Sequence, residues 1–306
     1  MRAVVTWLLL LVSLTSASAD ESKLRIGPID AVLAVPPDVA KPPVALLIAG
    51  SGSTDHDGNG PQLKPATLKK LSEQLVARGI ATLRYDKRGA GEWKKEFGRP
   101  EDFRFKDFVG DAASLIDYLR GSGRFSRVAV VGHSEGGLVA ILAAQRVPVD
   151  RLVLLATAAR KQGDVLKAQL EKQMPADKFA PIGKAIDDIM AGQIVDPPPA
   201  GLAIAPAMQP AMASGFNEDP VDPMRKITGP TLIIAGGRDH QLPRLDFLAL
   251  TTADVAAKSL WLPNMNHLLV DVTDQAEDMA SYNQPERPLD PDMIDAVAEF
   301  VTAQRP

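Results

Sequence analysis

In Val128-Ala129-Val130-Val131-Gly132-His133-Ser134-Glu135-Gly136-Gly137-Leu138-Val139-Ala140-Ile141-Leu142-Ala143-Ala144 a strand, a tight turn and a helix follow one another. The first four residues are an apolar run suited to a buried strand, and Leu138 to Ala144 form a helical run. Between them, glycines two before and two after a serine let the backbone reverse sharply. The serine oxygen then stands exposed at the turn, with a helix N-terminus beneath it, where a nucleophile is useful. Average composition gives a chance G-x-S-x-G on the order of 0.1 times per chain of this size. The flanking strand and helix lift this one above chance.

Working outward, short apolar runs alternate with helical patterns from Val44 to Leu155. Val44-Ala45-Leu46-Leu47-Ile48 suits a strand buried on both faces. Leu68, Leu71 and Leu75 line one side of a helix that ends near Gly79, and Ile80 to Tyr85 reads as the next strand. Phe108, Ala112, Leu115, Ile116 and Leu119 form a helical stripe. Leu152 to Leu155 follows the serine helix as another strand. Repeated strand and helix imply an α/β fold, with a mostly parallel sheet flanked by helices.

The alternation stops over 159–227. Helical patterns around Asp164 to Met174 and Ala180 to Met190 precede the Pro-rich Asp196-Pro197-Pro198-Pro199, so this region is expected to be an inserted helical cap with an irregular return arm. Gly163 and the Pro197 region are its candidate flexible ends. After Gly229-Pro230, Thr231 to Ala235 and Leu260 to Leu262 resume the strands. Asp290-Pro291 opens a last helix with Met293, Ile294, Val297, Phe300 and Val301 inward. The sheet domain, 20–158 and 228–306, thus encloses the insertion.

Met1-Arg2, an apolar stretch from Ala3 to Val12 and the exit Ser16-Ala17-Ser18-Ala19 describe a signal peptide over 1–19, cut after Ala19. The run is too short for an ordinary membrane span, and no later stretch approaches one. The expectation is an exported soluble protein, periplasmic or secreted; the alternative is an uncleaved anchor. The 306 residues contain no cysteine, so stability must come from a hydrophobic core. Lys plus Arg number 34 against 38 for Asp plus Glu, a formal charge of −4 that points to no nucleic acid and no anionic membrane.

A serine hydroxyl needs a base to take its proton and a third group to hold that base in the right tautomer. The chain has four histidines: His56, His133, His240 and His267. His267 lies in a loop after the Leu260 strand and is the candidate base. His133 should leave the turn in another direction, and His240 follows an acid. That acid, Asp239, comes directly after the Thr231 strand in Gly236-Gly237-Arg238-Asp239. Taken singly, Asp239 could be only a turn former and His267 only a loop histidine. The order Ser134, Asp239, His267, each after its own strand, argues for them together.

A tetrahedral intermediate needs two amide donors for its oxyanion. Glu135, next after the nucleophile, offers one; Ala49-Gly50-Ser51-Gly52-Ser53 offers the other, with Ser51 the first candidate and Gly52 the next. The same loop continues Asp55-His56-Asp57-Gly58-Asn59-Gly60, the first half of an EF-hand pattern. Ala66 occupies the position of its bidentate glutamate, so a turn network bracing the oxyanion loop is expected rather than a metal. The mechanism requires no cofactor.

The chain resembles the α/β-hydrolase superfamily, especially bacterial exported esterase-like and serine-aminopeptidase-like (S33 type) members. The resemblance runs from Leu24 onward through Gly50-Ser51-Gly52, Asp86-Lys87-Arg88-Gly89-Ala90-Gly91, Gly132 to Gly136, Gly236, Asp239 and His267. It implies acyl transfer to water through an acyl-serine, on a small ester or a short peptide. Two departures stand out: Ala49 where many members carry histidine, and Glu92-Trp93 in place of a common serine. Five of the nine methionines lie between Met174 and Met224, with Phe179 and Phe216. They either shape an adaptable apolar pocket or simply pack the cap. An aminopeptidase would need a carboxylate for the substrate amine, for which Glu218 and Asp219 are candidates. A carboxylesterase is the favoured expectation. A binding protein on the same fold is the non-enzymatic alternative, and Ser134 argues against a dehalogenase, which needs an aspartate nucleophile.

Overall fold

Unbroken apolar runs such as Val44 to Ile48, Val128 to Val131 and Leu152 to Leu155 suit strands covered on both faces. In the computed structural model, which describes residues 20–91 and 102–304, three such runs pair side by side. They are β3 (Val44–Ile48), β5 (Val128–His133) and β6 (Arg151–Leu155), each buried at every position. They belong to an eight-stranded sheet in the order β1-β2-β4-β3-β5-β6-β7-β8. Here β1 is Asp20–Ile26, β2 Ile29–Val35, β4 Ala81–Tyr85, β7 Thr231–Gly236 and β8 Lys258–Leu262. From β4 to β8 all pairings are parallel, whereas β1 and β2 are antiparallel to their neighbours.

The β1–β2 hairpin has little local signal in the sequence. β1 alternates exposed and half-buried positions and carries four charges, so little in its composition marks a strand. Gly27, in the left-handed region at φ 58°, closes the turn between the two. The hairpin is tied down by Arg84 of β4, a buried guanidinium that pairs with Glu21 of β1 and with Asp57.

Helices cover both faces. Helices α2 (Phe105–Gly121) and α3 (Glu135–Ala144) pack on one side, with Val109, Ala112, Leu115, Ile116 and Leu119 of α2 buried against the sheet. On the other side lie α1 (Thr67–Val76), through Leu68, Leu71 and Leu75, and the last helix, Pro291–Thr302. Asp290 caps that helix by accepting the Met293 amide at 2.8 Å, with Pro291 in its first turn, as the sequence implied.

Between β6 and β7 the chain leaves the sheet and forms α4 (Gln162–Gln173), α5 (Ala176–Met190), α6 (Gln209–Phe216) and the short α7 (Val221–Met224). The first three share a small core of Ile182, Ile186, Ile189, Leu202 and Phe216, whereas Val221 and Met224 of α7 pack on the main core. The return arm is more ordered than its prolines suggest. Gln209, only 1% exposed, receives the Val195 amide at 2.7 Å and donates to the Val195 carbonyl at 2.8 Å, replacing the partners the arm lacks. Gly163 is buried in α4, where a Cβ would collide with the Met190 sulfur. Helix α8 (Arg244–Ala253) follows β7, and α9 (Gln275–Ser281) precedes the last helix, α10. Among the described residues no helix is long and apolar enough to cross a membrane. The expected leader over 1–19 and the Glu92-Trp93 departure lie outside the described residues.

Candidate active site

The turn at Ser134 is built from two close approaches. A Cβ on Gly132 would strike the Gly136 carbonyl, and one on Gly136 would strike the carbonyls of Ile48 and Ala49, so helix α3 can start directly over the sheet only with glycine at both positions. Ser134 itself sits at φ 55°, ψ −122°. Such a conformation costs of order 1–3 kcal/mol and persists because its surroundings fix it. Ser134 N–H donates to the Leu155 carbonyl and its own carbonyl accepts from Gly137, both at 2.9 Å.

Three residues from the ends of three parallel strands meet here. His267 Nε2 lies 3.0 Å from Ser134 Oγ, and His267 Nδ1 lies 2.8 Å from Asp239 Oδ2. A carboxylate only accepts, so Nδ1 carries the proton and the Nε2 lone pair faces the serine hydroxyl. Asp239 makes contacts with both of its oxygens. Its Oδ1 accepts the amides of Gln241 and Leu242, at 2.8 and 2.9 Å, shaping the turn, while Oδ2 holds the histidine.

The loop carrying His267 is organised by Asn266, which is fully buried. Its Oδ1 accepts the Leu268 and Val270 amides, and its Nδ2 donates to Asp278 at 2.7 Å and Ser281 at 2.9 Å on α9. His133, which the sequence placed only as pointing away from the turn, reaches the same loop and donates to the His267 carbonyl at 2.8 Å. Burial and the neighbouring His267 push its pKa down to about 4, so it is a neutral strut at ordinary pH. Neither role has a local signal, because both depend on contacts between distant parts of the chain. His240 is half-exposed, with its ring nitrogen 4.0 Å from Asp278 rather than on the Ser134–His267–Asp239 line.

Glu135 is the first residue of α3, so its amide has no acceptor within the helix. Ser51 and Gly52 line the same cavity as Ser134. The Gly50–Ser51 peptide is pressed against the nucleophile: a Cβ on Gly50 would lie 3.2 Å from Ser134 Cβ. Behind it, the EF-hand-like loop is a turn network. Asp55 accepts the Asp57 and Asn59 amides, Asn59 accepts the Ala66 amide, and Asp57 is engaged by Arg84. Among the described residues no group of three or more His, Cys, Asp or Glu side chains is arranged to hold a metal.

Ser134 opens into a cavity of about 500 Å³. Phe103, Phe105 and Phe108, in edge-to-face contact, form one wall; Met208, Met212 and Phe216 of the cap face inward as well. The cap methionines thus divide, since Met174 and Met190 pack the cap core and Met224 joins the main core. Toward His267 the wall is polar, with Gln241 donating to Tyr282 at 2.7 Å and Gln169 of the cap donating to Gln241 at 3.3 Å.

Sheet order, the strained serine turn and the Ser134–His267–Asp239 geometry are those of the α/β-hydrolase fold. The family described as serine aminopeptidase, S33, matches residues 65–186. Esterase EstD of Thermotoga maritima is 26% identical over 261 residues, covering 83% of this chain; the chain spans about three fifths of that relative's length, 61%. Among solved structures, Est1E from Butyrivibrio proteoclasticus aligns over 92% of this chain and 96% of its own, at 18% identity and TM-score 0.56. A proline iminopeptidase of Mycobacterium smegmatis aligns over 92% and 97%, at 16% identity and TM-score 0.58. At these identities the two structures establish the shared fold.

Proposed function

We propose that the protein is a serine hydrolase that cleaves carboxylic esters through an acyl-serine intermediate. The observation that carries this reading is the hydrogen-bonded line Ser134 Oγ, His267 Nε2, His267 Nδ1, Asp239 Oδ2, at 3.0 and 2.8 Å, on the floor of an apolar cavity. In the proposed cycle, His267 takes the Ser134 proton as Oγ attacks the ester carbonyl. The Glu135 and Ser51 amides hold the oxyanion, and His267 passes the proton to the leaving alcohol. Water, deprotonated by the same histidine, then releases the acid. Asp239 stabilises the imidazolium in both halves of the cycle.

The S33 match supports a second reading, an aminopeptidase. That activity calls for a carboxylate to hold the substrate amine, and Glu135 is the one acidic side chain among the described residues lining the cavity. It is already bonded to Lys87 at 2.7 Å. Glu218 and Asp219 are not among the lining residues. An uncharged ester therefore suits the cavity better. The EstD relative favours the same choice. We further propose export, with a leader ending at Ala19, which N-terminal sequencing of the mature protein would test.

Hydrolysis of p-nitrophenyl esters from acetate to decanoate, beside aminoacyl p-nitroanilides and with Ser134→Ala as control, tests the reading. Ester turnover lost in the variant is the expected result. Preferential anilide cleavage would transfer the assignment to the aminopeptidase, and silence on both substrate types would favour a binding role.

A further inference from the structure

Lys87 lies behind the active site rather than in it, and its surroundings are unusual for a lysine. Its side chain is 1% exposed. Its ammonium donates to the Gly50 carbonyl at 2.8 Å and to Glu135 Oε1 at 2.7 Å, and stands 4.4 Å from the centroid of the Phe108 ring. An ammonium has three hydrogens, and these three neighbours account for them. The backbone beneath is fixed too: Lys87 N–H donates to the Thr54 carbonyl at 3.0 Å, and the adjacent Asp86 is held by His56 at 2.7 Å.

Both polar partners belong to the oxyanion site. The Gly50 carbonyl and the Ser51 N–H are two ends of one planar trans peptide, so they point in opposite directions. A cation on the carbonyl oxygen fixes the plane of that unit and strengthens the dipole whose positive end is the Ser51 N–H. Glu135, the second partner, carries the other donor amide on its own backbone. We infer that Lys87 is a positioning residue for the oxyanion site, clamping the Gly50–Ser51 peptide and the first residue of α3 in one fixed relation. The inference rests on the acyl-serine reading above. A buried, desolvated charge holds such a clamp more firmly than a neutral donor would, and preorganised donors matter most where charge develops only in the transition state.

A purely structural ion pair and a positioning role differ in what they do to the transition state. In Lys87→Met, kcat on p-nitrophenyl butyrate should fall by about 10–100-fold, less than the loss of a whole oxyanion donor, with KM within about twofold. Affinity for a trifluoromethyl ketone, which forms a tetrahedral adduct with its oxygen in the donor site, should fall by the same factor. Inhibition by butyrate, which carries no developing charge, should stay constant. Because Lys87→Met strands the Glu135 carboxylate, the double variant Lys87→Met/Glu135→Gln is measured beside it, with thermal unfolding to confirm the fold; the same losses are expected. A kcat within twofold of the parent, or a raised KM with unchanged ketone affinity, overturns the inference while leaving the serine-hydrolase reading intact. A parent protein inert to both ester and ketone overturns both.

Discussion

His133 Nε2–H donates to the backbone carbonyl of His267 across 2.8 Å, with the two rings 5.2 Å apart. The residue before Ser134 thus steadies the loop that carries His267. Only neutral His133 suits this enclosed position, which gives its titration a definite sign. Burial, then the neighbouring His267, lowers its pKa from 6.5 to about 4. As pH falls through 6.5 the unfolded chain binds a proton that the native state refuses, so stability declines between 6.5 and about 4. The difference amounts to about 3 kcal/mol. Urea unfolding of the parent and of His133→Asn at several pH values checks this. The two curves should converge as pH drops from 7 to 4, and parallel curves would contradict it.

His56 should behave in the opposite sense. Its hydrogen bond to Asp86 raises its pKa, despite partial burial. The stabilisation it provides is full below 6.5 and is lost as pH rises through the raised value. His56→Gln is expected to cost more stability at pH 6 than at pH 9, measured by thermal unfolding. A cost independent of pH would show that the Asp86 pair carries no linkage.

Asn266 serves four partners with one amide group, all buried or nearly so. Asn266→Leu strands Asp278, Ser281 and two backbone amides. We predict a loss of about 2–4 kcal/mol in denaturant unfolding and a fall in kcat, because His267 is the next residue. Unchanged stability would mean that water replaces the side chain without cost.

The contrast between Asn266 and Ser134 shows what was legible beforehand. The serine turn, the central strands, the helices α1, α2 and α10 and the chain order of Ser134, Asp239 and His267 are written in local patterns: apolar runs, capping residues, glycines around a serine. Asn266, His133 and Lys87 are ordinary residues in sequence; their roles arise from contacts with partners 12, 134 and 48 residues away. The β1–β2 hairpin escaped notice because half of β1 faces solvent. The return arm of the cap, read as irregular, owes α6 and its bracing to Gln209, again a tertiary effect.

Met212 of the cap lines the cavity. Met212→Trp fills part of the roughly 500 Å³ and should shift the preferred p-nitrophenyl ester toward shorter acyl chains, read as kcat/KM across the acetate-to-decanoate series. An unaltered chain-length profile would place the acyl group elsewhere in the cavity.

The most direct test of the central claim is covalent. Incubation with a fluorophosphonate, followed by intact-mass and peptide mass spectrometry, is predicted to give a single adduct on the peptide containing Ser134. It should be absent in Ser134→Ala and strongly slowed in His267→Ala. Labelling at another residue, or labelling undiminished in Ser134→Ala, would contradict the assignment of Ser134 as the nucleophile.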